Sequence, residues 1–85
     1  MPIIVEDKRG REYDLEEKII EILRDKGPSS RDDINYYLHT MELKPPQSLI
    51  TKALYRLEET EKIKFEKHVY YLTDQSDAFV KMRRG

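Results

Sequence analysis

The segment at residues 46–60, PQSLITKALYRLEET, contains the pattern that decides the fold. Four apolar side chains recur there at positions i, i+3, i+4 and i+7, and they are Ile50, Ala53, Leu54 and Leu57. This spacing aligns them along one side of an α-helix, so the sequence predicts a helix over residues 46–60 with one buried side. Pro46 suits the first helical position, where a missing backbone N–H costs nothing.

The opposite side of this helix is polar, and most of its groups can donate a hydrogen bond. These side chains are Gln47, Ser48, Thr51, Lys52, Tyr55 and Arg56. None of these six side chains is acidic. The acids Glu58 and Glu59 come only at the C-terminal end of the helix. The DNA major groove accepts a helix of this kind, but an ordinary surface helix shows the same pattern. The flanking sequence must therefore decide between the two interpretations.

Downstream of residue 60 the apolar side chains follow a period of two. Residues 63–66, IKFE, alternate apolar and polar, which predicts a half-buried strand. Residues 69–72, VYYL, are β-branched and aromatic and predict a returning strand, with Tyr70 and Leu72 facing inward and Tyr71 outward. The tip between the two strands consists of Lys67 and His68. The sequence therefore predicts a C-terminal β-hairpin.

The last residues predict a helix or a tail over positions 75–85. Thr73 or Asp74 would cap this helix. Its apolar side chains would be Ala78, Phe79 and Met82, and its basic end would contain Lys81, Arg83 and Arg84.

Upstream, Asp14 is the expected N-cap of a first helix. Glu17 follows three residues later, which is the spacing of a capping box. Gly27 and Pro28 end this helix, since glycine suits the position after the last turn and proline cannot continue it. The predicted inward side chains are Leu15, Ile19, Ile22 and Leu23, with Ile20 beside them.

A short second helix is predicted between residue 29 and residue 39 or 40. Its expected caps are Ser29 and Ser30, and Asp32 or Asp33 supplies the acid that the first helical turn favours. Ile34 and Leu38 lie four residues apart and should face inward. After the helix ends, Leu43 is expected to return to the core.

The first 13 residues allow two interpretations. Residues 3–5, IIV, are β-branched and predict a strand, and residues 7–10, DKRG, predict a turn. Residues 11–13 could form a second strand and complete a hairpin. Alternatively, the segment is an arm whose one strand pairs elsewhere.

The composition limits the class of protein. Eighty-five residues are enough for one domain over residues 1–85, and the absence of cysteine excludes a disulfide framework and a thiolate metal site. No apolar run approaches the ~20 residues that span a bilayer, and the start lacks the pattern of a signal peptide. We therefore expect a cytoplasmic protein that is not bound to a membrane.

The net charge of −1 conceals an asymmetry between the two halves of the chain. Residues 1–43 hold 7 Lys/Arg against 11 Asp/Glu, whereas residues 44–85 hold 9 against 6. The half that contains the helix over residues 46–60 is therefore the basic one. This distribution permits an electrostatic footprint on one side of the molecule.

The sequence gives no indication of an enzyme. It contains no nucleophile elbow, no P-loop and no glycine-rich fingerprint, and its two histidines are far from metal-ligand spacing. The paired acids 16–17 and 32–33 are explained by helix N-termini. We expect no cofactor, no bound metal and no small-molecule substrate.

The order helix, short helix, turn, longer helix and β-hairpin resembles the winged helix-turn-helix family of transcription regulators. The resemblance covers roughly residues 14–74 and rests on the spacing of the motifs described above. It implies an α+β fold with a three-helix core and a C-terminal two-stranded wing. Two features differ from the family, because Glu61 stands where its members usually carry glycine and the wing tip is very short.

The resemblance also implies a function, which is sequence-specific binding of double-stranded DNA by a regulator, with the helix over residues 46–60 in the major groove. The expected DNA-binding residues are Gln47, Ser48, Thr51, Lys52, Tyr55, Arg56, Ser30, Arg31, Lys64, Lys67 and His68. A homodimer is expected, since one module covers a single half-site. Residues 3–5 or 78–82 would supply the dimer contact.

Two other interpretations remain open. The near-neutral charge, the short wing and the acids at the start of helix 2 fit a winged-helix module that binds another protein and no nucleic acid. Binding of single strands or RNA through Tyr71 and its neighbours is less favoured, because an open aromatic sheet is not predicted.

Overall fold

The computed structural model describes residues 2–73, and these form an α+β domain with three helices and two antiparallel two-stranded sheets. Strands β1 (Ile4–Glu6) and β2 (Glu12–Asp14) come first, followed by helices α1 (Leu15–Lys26), α2 (Arg31–Thr40) and α3 (Gln47–Glu59), and then by strands β3 (Ile63–Glu66) and β4 (Val69–Leu72). The predicted helix or tail over residues 75–85 lies outside the described residues.

The N-terminal segment is a hairpin, which decides between the two interpretations of residues 1–13. Val5 pairs with Tyr13 in the β1–β2 ladder. In the turn, the Asp7 carboxylate accepts hydrogen bonds from the N–H groups of Arg9 and Arg11 at 2.8 and 2.9 Å. The Arg11 bond is the main reason that the pKa of Asp7 is lowered. The hairpin is joined to α1 because the Leu15 N–H donates to the Ile3 carbonyl at 2.9 Å.

The core lies between the three helices and the two hairpins. The four side chains that predicted α3 are all buried, with exposed fractions of 2% or less. The predicted inward side chains of α1 and α2 are likewise buried, and Leu43 returns to the core at 7% exposure. The helical periodicity therefore located the buried sides of all three helices correctly.

The helix starts differ in detail from their predictions. The Asp14 carboxylate accepts from the N–H groups of Glu16 and Glu17, at 3.0 and 3.4 Å. The reciprocal capping box is found at α2, where Ser30 and Asp33 exchange bonds of 3.1 and 3.2 Å. Helix α3 begins at Gln47 rather than Pro46, because Pro46 has an extended ψ of 144° and is the N-cap.

Ser29 is not a helix cap, which corrects the prediction from sequence. Its backbone exchanges two hydrogen bonds with Tyr70 of β4, at 2.9 and 2.7 Å, and forms an isolated bridge. The side chain is 2% exposed, and its hydroxyl donates to the Gly27 carbonyl at 2.9 Å. This bridge fixes the C-terminal hairpin against the loop between α1 and α2.

The C-terminal hairpin has the predicted boundaries and orientation. Ile63 pairs with Leu72 and Phe65 with Tyr70. Ile63 is buried and Tyr70 and Leu72 pack against the core, whereas Phe65 is 48% exposed and contacts the Tyr70 ring with centroids 4.5 Å apart. Tyr71 lies on the other face, where its hydroxyl bonds the Glu66 carboxylate at 2.8 Å. The tip residues Lys67 and His68 have φ values of 51° and 69°, as a tight two-residue turn requires.

Helix α3 ends in a motif that ordinarily uses glycine. The Lys62 N–H donates to the Leu57 carbonyl and the Glu61 N–H donates to the Glu58 carbonyl, both at 3.0 Å. This pair of bonds defines a Schellman motif, whose C′ residue must be left-handed. Here that residue is Glu61, with φ of 59°. Glu61 therefore has a Cβ atom at a position where the left-handed backbone makes a Cβ unfavourable.

We expect Glu61→Gly to stabilise the domain by about 0.5–1 kcal/mol. Removing the Cβ relieves a left-handed penalty of ~1–2 kcal/mol, and the greater freedom of glycine in the unfolded chain offsets part of this gain. Urea titration followed by circular dichroism would measure the change. The matched control is Glu59→Gly, which lies within α3 and should cost about 0.5–1 kcal/mol. Destabilisation by both variants would contradict the assignment of strain to Glu61.

Candidate nucleic-acid interface

The exposed side of α3 forms the centre of the candidate site. All five polar residues of its first nine positions face solvent, and these are Gln47, Ser48, Thr51, Lys52 and Tyr55. The Tyr55 side chain is 63% exposed. The buried residues Ile50 and Leu54 lie on the opposite side and hold this face outward. All five residues remain exposed within residues 2–73, so the helix presents an open polar surface.

Arg56 is placed differently from the other predicted residues of α3. It is half-buried, and its Nη2 lies 3.6 Å from the Glu16 carboxylate at the start of α1. Both partners are well shielded, with 32% and 16% of their side-chain surfaces exposed. The charge of Arg56 is therefore already engaged within the protein, and its side chain joins α3 to α1.

The first turn of α2 is bonded to the first residue of α3. Arg31 donates from Nη2 to the Gln47 backbone carbonyl at 3.1 Å and to the Gln47 Oε1 at 3.4 Å. Gln47 in turn donates from Nε2 to the Asn35 Oδ1 at 3.1 Å. Asn35 was not predicted as a site residue, although it lies four residues after Arg31 and thus on the same side of α2. The Ser30 Oγ accepts the Asp33 N–H at 3.1 Å, and its O–H group can still donate a hydrogen bond to a partner.

The C-terminal hairpin borders the same surface. Tyr70 lies close enough to both Glu58 and Arg31 to feel their charges. Burial is the main reason that the pKa of Tyr70 is raised, Glu58 raises it further, and Arg31 opposes the shift. Strand β3 packs against α3, and the Ser29–Tyr70 bridge places β4 next to the residues that precede α2. The three predicted hairpin residues are all exposed, and these are Lys64, Lys67 and His68.

The charge of the surface is uneven along α3. Its N-terminal part carries Lys52 and lies next to Arg31, whereas its C-terminal end carries the exposed acids Glu58 and Glu59. At the start of α2, Asp33 is engaged in the capping box and Asp32 is exposed. An anionic partner would therefore approach the N-terminal part of α3 and avoid its C-terminal end.

Other kinds of site have little support between residues 2 and 73. No group of three or more His, Asp or Glu side chains in this range could hold a metal ion. A shallow cleft of about 350 Å³ lies beside the first hairpin turn, and its lining of mixed charge consists of Asp7, Lys8, Arg9, Arg11, Met41 and Glu42. None of the three helices described is long and apolar enough to cross a membrane.

The comparisons with known proteins add no relative. No protein-family model matches this sequence, and no curated protein or solved structure is similar enough to count as a match.

Proposed function

We propose that this chain is a winged helix-turn-helix module that binds double-stranded DNA. The order of three helices followed by an antiparallel hairpin supports this assignment. The bridge between Ser29 and Tyr70 supports it further, because it fixes the hairpin against the loop that leads into α2. In this arrangement α3 enters the major groove while α2 and the hairpin lie above the sugar-phosphate backbone.

One observation carries the proposal, which is the exposed and acid-free surface of the first nine residues of α3. Its polar side chains include donors and acceptors that can bond base edges, and Lys52 can bond guanine or a phosphate. The tyrosine at position 55 offers a hydroxyl and an aromatic face. A helix of 13 residues is long enough to reach across the groove with its first three turns.

The surrounding cations have a different role in the proposal. Arg31, Lys64, Lys67 and His68 border the exposed side of α3 or lie on the hairpin, where they would contact phosphates. Phosphate contacts fix the position of a protein on the duplex but carry no sequence information. Ser30 would contribute through its hydroxyl, which can still donate, because its backbone N–H already donates to the Asp33 carboxylate. We propose no phosphate contact for Arg56, because Glu16 holds it.

We further propose that the module is a transcription regulator that acts as a homodimer. A single helix in one major groove covers only a half-site, so specific regulators commonly pair two modules. In β1, Ile4 is 48% exposed at the edge of a two-stranded sheet, which makes this strand available for a second copy. Sedimentation at micromolar concentration tests the pairing, and a monomer at all concentrations would exclude it.

A shift assay with mixed-sequence duplex tests the proposed function. We expect binding at low salt whose logarithm falls linearly with the logarithm of salt concentration, with a slope of about −0.9 for each phosphate neutralised. Three to five contacts would give a slope of roughly −2.7 to −4.5. The same assay with an acidic polymer of unrelated geometry, such as polyglutamate, serves as the control. Absence of duplex binding at 50 mM salt, well below physiological salt, would refute the proposal.

The second candidate is a protein-binding module. Three aromatic side chains on different elements are exposed, and these are Tyr36 at 63%, Tyr55 at 63% and Phe65 at 48%. Aromatic side chains are enriched in protein interfaces, and the acids at the C-terminal end of α3 would not hinder a protein partner. This candidate is favoured if duplex binding is absent and a stoichiometric protein partner is recovered.

A further inference from the structure

Gln47 is held at both ends of its amide group in the free protein. Its Oε1 accepts from Arg31 at 3.4 Å, and its Nε2 donates to Asn35 at 3.1 Å. From this arrangement we infer that Gln47 reads an adenine base, and that Arg31 and Asn35 are positioning residues that orient its amide. The inference rests on the proposed binding of duplex DNA and names the base that one residue selects.

The two neighbours determine which way the amide points. A guanidinium only donates hydrogen bonds, so the atom of Gln47 that faces Arg31 must be the oxygen. The nitrogen must then face Asn35, whose Oδ1 accepts from it. The orientation of an amide is otherwise ambiguous, because oxygen and nitrogen can exchange places by a flip. Here a flip would place an N–H group against the Arg31 donor, which is unfavourable.

The hydrogen-bonding capacity that remains in the Gln47 amide matches adenine. An amide oxygen can accept two hydrogen bonds and an amide nitrogen can donate two. Each atom of the Gln47 amide has one of these engaged with its neighbour, so each has one left. Adenine presents a donor and an acceptor side by side in the major groove, at N6 and N7. Guanine presents two acceptors there, and the oxygen of Gln47 could not donate to either.

Holding the side chain in advance should improve selectivity. A free glutamine loses rotamer freedom when it binds, and this cost opposes binding. Arg31 and Asn35 reduce this cost, because their bonds to the two amide atoms already hold the side chain of Gln47 in the free protein. Since the bonds to Gln47 use only the Nη2 of Arg31, the other N–H groups of the guanidinium can still contact a phosphate.

The test is selection of bound sequences from a pool of duplexes with a randomised central region. The wild-type protein should enrich a motif with adenine at one position, and replacing that adenine should weaken binding roughly tenfold. Gln47→Ala should remove the preference at this position alone. The matched control is Glu59→Ala, which changes an exposed polar residue at the other end of α3 and should leave the adenine preference intact.

A second variant keeps the test decisive if Gln47→Ala is poorly folded. Gln47→Glu retains an acceptor for Arg31 but has no N–H group to donate to adenine N7. A carboxylate instead accepts from cytosine N4, so the preference at the same position should change from adenine to cytosine. A motif that is unchanged in Gln47→Glu would overturn the inference.

The positioning role of Asn35 is tested by a separate measurement. Asn35→Ala should lower the ratio of affinities for adenine and non-adenine duplexes about threefold without changing the salt slope, because Asn35 carries no charge. A purely structural defect would weaken binding to both duplexes equally and would contradict this role. If the wild-type protein enriches a motif that does not depend on Gln47, the inference fails while the proposed function stands. If the wild-type protein does not bind duplex at all, both fail.

Discussion

Replacement of Ile50 by alanine should destabilise the domain by about 2–5 kcal/mol, the largest stability effect that we expect. The side chain is fully buried on the inner side of α3, at the centre of the core. Removing three carbons there loses their burial and leaves a cavity that the helices fill only in part. Domains of this size are stable by only about 5–15 kcal/mol, so the midpoint of thermal unfolding should fall by roughly 10 °C or more.

Thr51→Ala is the matched control for this prediction. Thr51 is the next residue of α3 but is exposed to solvent, and alanine has the higher helix propensity. Its effect should lie within about 0.5 kcal/mol of zero. Calorimetry or denaturant titration of both variants compares an inner and an outer position of one helix. Equal destabilisation by the two substitutions would mean that α3 does not pack with the side predicted by its periodicity.

Reversal of the charge at Lys52 should have the largest effect on DNA binding. Lys52 is exposed near the middle of the acid-free surface of α3, where the proposed major-groove contact is closest. Lys52→Glu removes one favourable contact with the duplex and adds a repulsive one. We expect a loss of about 1–3 kcal/mol, which corresponds to roughly 5- to 150-fold in affinity, and a shallower salt slope by about one unit. The shift assay across a salt series measures both quantities.

Lys8→Glu makes the same change of charge at an exposed residue in the first hairpin turn, beside Met41 and Glu42. This control should lose far less affinity than Lys52→Glu, since its effect would come only from the net charge of the protein. Equal losses in the two variants would show that α3 is not the binding surface. Circular dichroism of both proteins must show an intact fold, as expected for exposed side chains.

Arg56 illustrates why the position of a cation on a helix does not establish its role. The sequence predicts DNA contacts for both Lys52 and Arg56, which lie four residues apart on α3. In the structure Arg56 lies 3.6 Å from Glu16 and is half-buried, whereas Lys52 is exposed. Adding Arg56→Ala to Lys52→Ala is therefore expected to lower stability more than DNA affinity. The distinction could not come from sequence, because Glu16 is 40 residues away along the chain.

Only part of the candidate site could be predicted from sequence, because some of its contacts join residues that are distant in the chain. Gln47, Thr51 and Lys52 were found because helical periodicity alone separates inner from outer positions. Asn35 was missed, since nothing in the local sequence indicates that the start of α2 meets the start of α3. The hydrogen bonds that join Arg31, Gln47 and Asn35 cross 12 to 16 residues of sequence. Such contacts are set by how two helices pack and not by the pattern within either helix.

By itself the sequence determined the features that depend on neighbouring residues. The periods of 3.6 and 2 placed three helices and the C-terminal hairpin, and Asp14 and Ser30 were correctly identified as helix caps. These features follow from local bonding and from the side of each element that must avoid water, so they are visible in short windows.

Only the tertiary structure decided the features whose partners are distant in the chain. Ser29 resembles a cap in sequence, yet its backbone pairs with Tyr70, because the packed helices bring a loop and a strand 41 residues apart within hydrogen-bond distance. Likewise, the left-handed Glu61 is tolerated because the bonds of Lys62 and Thr73 to the surrounding backbone fix this turn. The preference of the local sequence favours a conformation, and the summed free energy of long-range contacts determines whether that conformation forms.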